Sequence, residues 1–177
     1  QGDTELLDSL SVVPAGMLIN AIFLSVWIYL PPRIQDMSAR RSLAVTTATA
    51  LVAWAIFGMM AIFCIDSASD SGLGARDIAV IGVVLTAAFG IYLGWSPGDS
   101  PKGSREVSKS VLLARGGMAA TAIGASVWVA GLGYPLIAGL ASVFPAIFLT
   151  SMVALWISQG PSVPRGAAAP MLLGGGS

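Results

Sequence analysis

Histidine is absent from this chain of 177 residues, and cysteine occurs once, at Cys64. Without histidine, the chain lacks the commonest metal ligand, the commonest proton shuttle and the usual axial ligand of haem. A single thiol forms neither an internal disulfide nor a multi-cysteine metal site, and we interpret Cys64 as a small residue packed among helices. We therefore expect no metal and no cofactor.

Charged side chains are also scarce. They make up 10% of the chain, against about 25% in soluble domains, whereas hydrophobic residues make up 55%. The chain has no phosphate-binding loop, no dinucleotide fingerprint and no histidine that could activate a serine. It also lacks a basic stripe with interleaved aromatics, so a nucleic-acid partner is not expected. We predict that the protein is not an enzyme.

Long apolar runs dominate what the chain does contain. None of the five runs carries an ionised side chain, and each is close to the roughly 20 residues needed to cross a bilayer as a helix. We predict an all-α, polytopic membrane helix bundle with about five transmembrane helices and membrane lipids as its surroundings. The spans are Val12–Leu30, Ser42–Ile65, Ile78–Trp95, Gly116–Leu132 and Pro135–Ser158.

Basic residues partition between the loops. Eight of the nine basic residues lie in loops on one side of the five predicted spans, and only Arg76 lies on the other side. Because cytoplasmic loops retain Lys and Arg, we predict an outside N-terminus and an inside C-terminus. The domains are then a polar outer segment (1–11), the bundle (12–158) and an inner tail (159–177) that could begin a further helix. Trp27 and Tyr29 are expected at the inner membrane interface.

Neutral polar residues and one proline within the spans are the candidates for lining a solute path. An amide in hydrocarbon needs a partner, and a proline in mid-helix removes a backbone bond and predicts a kink. The hydroxyls of Thr46, Thr47 and Thr49 are expected to bond carbonyls one turn back. The path candidates are Asn20, Thr86, Ser126, Ser142, Pro145 and Thr150.

Small residues recur on the fourth span. Gly116, Ala120 and Gly124 form a ridge on which another helix can approach closely, which predicts a place in the middle of the bundle or at a subunit contact. A homo-oligomer or partner membrane subunits would supply that contact. Before this span, Arg105, Lys109 and Arg115 are expected to meet lipid headgroups at the inner surface.

Two functions fit these patterns. The first is transport or permeation of a small solute, favoured by Asn20 and the Pro145 kink. The second is a non-catalytic structural subunit of a larger membrane assembly, favoured by the small-residue ridge and the lack of charge within the spans. We give precedence to transport.

Overall fold

The computed structural model describes residues 2–70, 72, 75–94, 109–133 and 144–174. This part of the chain is almost wholly helical and contains no strand. Its elements are α1 (Gly2–Tyr29), a 3-10 turn (Pro31–Arg33), α2 (Ala39–Asp70), α3 (Ala75–Gly94), α4 (Lys109–Gly131), α5 (Ala146–Gln159) and α6 (Ser162–Gly174). The all-α prediction is confirmed for these residues.

Helix α1 is longer than the first predicted span, because the polar segment before Val12 is helical from Gly2. It ends at Tyr29, where Pro31 and the proline after it deny the helix two backbone donors. The Arg33 guanidinium donates a hydrogen bond of 3.0 Å to the Tyr29 carbonyl. A cation therefore caps the carbonyl end of α1, where the helix dipole favours positive charge.

Helix α1 occupies the centre of the fold, in contact with α2, α3 and α6. Its side chains Phe23, Leu24 and Trp27 are fully buried. They form one hydrophobic core with residues from three other helices: Ala50 of α2, Leu149, Met152 and Trp156 of α5, and Ala168 of α6. Burying an aromatic or aliphatic side chain of this size contributes about 1.5–3 kcal/mol. The core therefore packs α1 and α2 against α5 and α6.

The C-terminal helices form a tight pair. Helix α5 ends at Gly160, whose φ of +89° lies in the left-handed region and whose N–H donates to the Trp156 carbonyl at 2.9 Å. Only glycine adopts this conformation without strain, so the turn into α6 depends on it. The tail that sequence left open as the start of a further helix is thus the helix α6.

The outer faces of α2, α3 and α4 expose large apolar side chains. Phe63 is 73% exposed and Leu113 is 77% exposed, and Cys64 is exposed rather than packed. Within the described residues, two helical segments are long and apolar enough to span a membrane, Ala15–Arg33 and Ala39–Ile65. Val80–Tyr92 and Ala146–Gln159 are shorter apolar helices.

Candidate functional site: a groove and a buried polar layer beside α5

Within the last predicted span, the structure shows a non-helical turn at Pro145. Sequence predicts a kink within a continuous helix over 135–158, but Pro145 stands immediately before α5, which begins at Ala146. Pro145 has φ −77° and ψ 45°, and the Ala146 N–H donates to the Phe144 carbonyl at 2.7 Å. This is close to an inverse γ-turn. A helix therefore starts after Pro145, so the predicted continuous helix is wrong at this point, and residues 134–143 lie outside the described residues.

A groove of about 580 Å³ lies beside this turn. Its wall is an aromatic pair, Trp54 of α2 and Phe144, whose ring centroids are 5.2 Å apart with planes at 89°. This edge-to-face arrangement is favoured between aromatic rings. The floor is one face of α4, formed by Ala114, Gly117, Met118, Thr121 and Ala125. The volume falls within the range of small-molecule sites.

The described lining of the groove is apolar and contains no charged side chain. The Thr121 hydroxyl donates to the Gly117 carbonyl of its own helix at 2.8 Å, so its hydrogen is not directed into the groove. The indole Nε1 of Trp54 is buried without an acceptor among the described residues. The lining therefore suits a neutral, weakly polar molecule, since an ion placed here would lose its hydration without compensation.

A second feature, the buried indole pair, joins the ends of α1 and α5. The rings of Trp27 and Trp156 lie 6.0 Å apart, centroid to centroid, at an interplanar angle of 71°. Trp27 is fully buried and Tyr29 is exposed, and the place of both residues at the inner membrane interface stays a prediction. Neither indole N–H has an acceptor within the described parts of the chain. Buried donors of this kind are rare and costly.

Helix α2 adds hydroxyl groups to the same core. Ser42, Thr46 and Ala50 are buried at successive helical turns, and Ala50 belongs to the hydrophobic core. We expected Thr46 and Thr47 to bond carbonyls one turn back, but neither hydroxyl has a partner among the residues described. Thr46 is fully buried. The expectation is wrong at both positions, and α2 directs an unsatisfied hydroxyl into the core.

The predicted path residues do not gather at one place. The Thr86 hydroxyl bonds Gly82 and the Thr150 hydroxyl bonds Ala146, each at 2.8 Å within its own helix. Asn20 is partly buried on α1, and Pro145 is buried. Ser142 and the side chain of Ser126 lie outside the described residues. Of the four candidates whose side chains are described, Pro145 alone adjoins the groove, through its neighbour Phe144.

The small-residue ridge of α4 faces away from the rest of the described protein. Gly116, Ala120 and Gly124 are exposed, and a Cβ at either glycine would meet nothing within 4 Å. Among the described elements, α5 is the main contact of α4. The central position proposed for this helix therefore belongs to α1, and the ridge is free for a subunit contact. Of the predicted headgroup contacts, Lys109 is exposed, and Arg105 and the Arg115 side chain lie outside the description.

Sequence reasoning missed the groove face of α4 and the indole pair. Gly117, Thr121 and Ala125 are a second set of small residues at helical spacing, next to the ridge that drew attention. The helical spacing of small residues is the same on both faces of α4, so it does not show which face lines a groove and which is open. The indole pair needs two helices remote in sequence, so only assembly of α1 with α5 reveals it.

Comparison of the chain with protein-family models, with curated proteins and with solved structures finds no match.

Proposed function

We propose that this chain is a multi-pass membrane protein that transports a small neutral solute through its helix bundle. The partition of the basic residues, the five uncharged apolar runs and the exposed apolar faces of α2, α3 and α4 support membrane insertion with five spans. The N-terminus lies outside and the C-terminus inside. Transport takes precedence because a helix begins inside the predicted fifth span, directly beside a groove.

The observation that carries this proposal is the non-helical turn at Phe144–Pro145 beside the groove, which lies inside the predicted fifth span. In hydrocarbon, non-helical backbone is tolerated only where protein or a cavity surrounds it. Substrate sites of many transporters lie where a helix begins within the membrane. The turn precedes α5, and Phe144 forms the groove wall with Trp54. A solute in the groove would meet aromatic edges and small side chains, which favour neutral molecules over ions.

A flux assay on the purified chain in liposomes tests this function. A panel of neutral solutes, with glycerol and urea as the first members, is expected to enter faster than in empty liposomes. The variant Gly117→Phe places a ring in the groove, where a Cβ has open space, and is expected to abolish the excess flux. Gly131→Phe is the matched control, because Gly131 is an open glycine of α4 that does not line the groove.

Two outcomes would overturn the transport function. One is flux no faster than in empty liposomes for every solute of the panel. The other is equal flux in the wild type and in Gly117→Phe, which would mean that any permeation bypasses the groove.

A structural subunit of a membrane assembly is the second candidate, and one observation favours it. The ridge Gly116, Ala120 and Gly124 is open, and apolar residues flank it, with Trp128 68% exposed. Such a surface suits another helix. Constant co-purification of partner chains, together with no flux, would favour this function over transport.

A further inference from the structure

We propose that the Trp27–Trp156 pair forms a buried site for a small neutral hydrogen-bond acceptor, either an ordered water or a permeating solute. An indole offers one donor and no acceptor, so a pair of them can be satisfied only by an accepting atom. Both residues are at least nine-tenths buried and their rings are in contact. Neither Nε1 has an acceptor among the described residues.

The composition of the surrounding core indicates the charge of the occupant. The core cluster around the pair consists of Phe23, Leu24, Ala50, Leu149, Met152 and Ala168, with no ionised side chain. An anion would accept from both indoles but would remain uncompensated in this apolar core, at a large desolvation cost. A neutral oxygen, of water, a hydroxyl or a carbonyl, accepts the same hydrogen bonds without that cost.

Thr46 extends the site along the bundle. Trp27 lies two residues before the end of α1, and Thr46 lies seven residues after the start of α2. At about 1.5 Å per residue, Thr46 is roughly one to two helical turns further from the α1–α2 connection, counted along its helix, than Trp27 is along α1. Its hydroxyl is fully buried and has no partner in the described chain, so it can both donate and accept. Indole and hydroxyl groups thus supply successive polar positions in an otherwise apolar core.

The pair lies near the ends of α1 and α5 that are predicted to face the inner side. The segments that follow these two ends in the chain carry the exposed arginines Arg33, Arg40, Arg41 and Arg165. The identification of the occupant as a solute rests on the proposed transport function, whereas the acceptor site itself does not. Both side chains of the pair are buried, so an occupant beside them would be shielded from bulk solvent.

The first experiment detects the hydrogen bonds directly. Ultraviolet resonance Raman spectra of the purified chain in detergent report whether an indole N–H is bonded, and difference spectra against Trp27→Phe and Trp156→Phe assign each signal. Both indoles are expected to be bonded. Bonding in buffer alone identifies water as the occupant, and bonding only after addition of glycerol identifies a solute. Free N–H signals for both residues in buffer and also after addition of glycerol would overturn the proposal.

The second experiment measures function in liposomes with the same variants. Loss of one neutral hydrogen bond is expected to weaken the apparent affinity for glycerol roughly 2- to 10-fold in Trp27→Phe, Trp156→Phe and Thr46→Val. Trp128→Phe and Thr150→Val are the controls, because Trp128 is exposed and the Thr150 hydroxyl is bonded within α5. Unchanged affinity in all three test variants, with wild-type flux present, refutes the solute site and leaves transport standing. Bonded indoles without any flux refute transport and leave a water site.

Discussion

The indole rings of Trp27 and Trp156 meet edge to face, 6.0 Å apart, and connect the end of α1 to the end of α5 across more than a hundred residues of sequence. This contact places the first and the penultimate helix of the described chain in one core. It also leaves two indole donors away from water, where an apolar pair of the same shape would have avoided the cost. The pair therefore serves for packing and presents polar groups at the same time.

Truncating the pair should unfold the bundle more readily. Trp27→Ala removes a fully buried ring from the core and is expected to lower the free energy of unfolding by about 3–5 kcal/mol. Trp128→Ala, at an exposed tryptophan, is expected to change it by less than about 0.5 kcal/mol in detergent. Unfolding of both variants, followed by circular dichroism against denaturant, measures the difference. Equal midpoints would show that the core does not hold α1 against α5.

Helix α2 is expected to cross the membrane, so that the residues before and after it lie on opposite sides. In a Cys64→Ala background, Asp77→Cys should react with an impermeant maleimide on intact cells, and Asp36→Cys only after permeabilisation. Both aspartates are exposed and flank α2 in the chain. If Asp36→Cys alone is labelled in intact cells, the orientation of the protein is the opposite of the predicted one. Labelling of both under the same condition would show that α2 does not cross.

Replacing Gly124 should affect assembly rather than folding. A leucine there meets open space within the subunit and improves helix propensity, so the melting temperature of the isolated subunit is expected to stay the same or rise. If the ridge packs against another copy, the added bulk forces the two helices apart. We expect Gly124→Leu to shift the oligomer to smaller species in size-exclusion chromatography with light scattering.

The control for this substitution is Ala61→Leu on α2, a partly buried position away from the ridge. It should leave the oligomer unchanged. An oligomer of the same size in Gly124→Leu and the wild type would mean that the ridge faces lipid.

Pro145→Ala should reduce transport without reducing stability. Alanine restores a backbone donor and allows helical φ and ψ at a residue that now forms a sharp turn. If the turn at Pro145 becomes helical, Phe144 is expected to move and to change the shape of the groove that it lines. Glycerol flux should then fall several-fold. Pro164→Ala is the matched control, because Pro164 is a buried proline within the first turn of α6. Undiminished flux in Pro145→Ala would separate the helix break from permeation.

Much of the local structure follows from sequence. Two consecutive prolines after Leu30 end α1, and the uncharged runs predict the helices α1 and α2 that are long and apolar enough to span a membrane. These outcomes depend on backbone donors and on hydropathy, which are properties of short segments. For the same reason, the sequence predicts that the last span is not a regular helix at Pro145, although it predicts a kink there and not the start of a helix.

Tertiary structure alone decided which faces of the helices meet. Sequence placed the fourth span in the middle of the bundle or at a subunit contact because of its small residues, yet α1 takes the central place and Gly116 and Gly124 are open. Small residues permit a close approach but do not specify the partner. Likewise, the burial of Trp27 against Trp156 depends on how α5 is positioned beside α1, and no pattern within either segment carries that information. Composition and local chemistry determined that the chain is helical and apolar, whereas the groove and the buried indoles arise only when distant helices pack together.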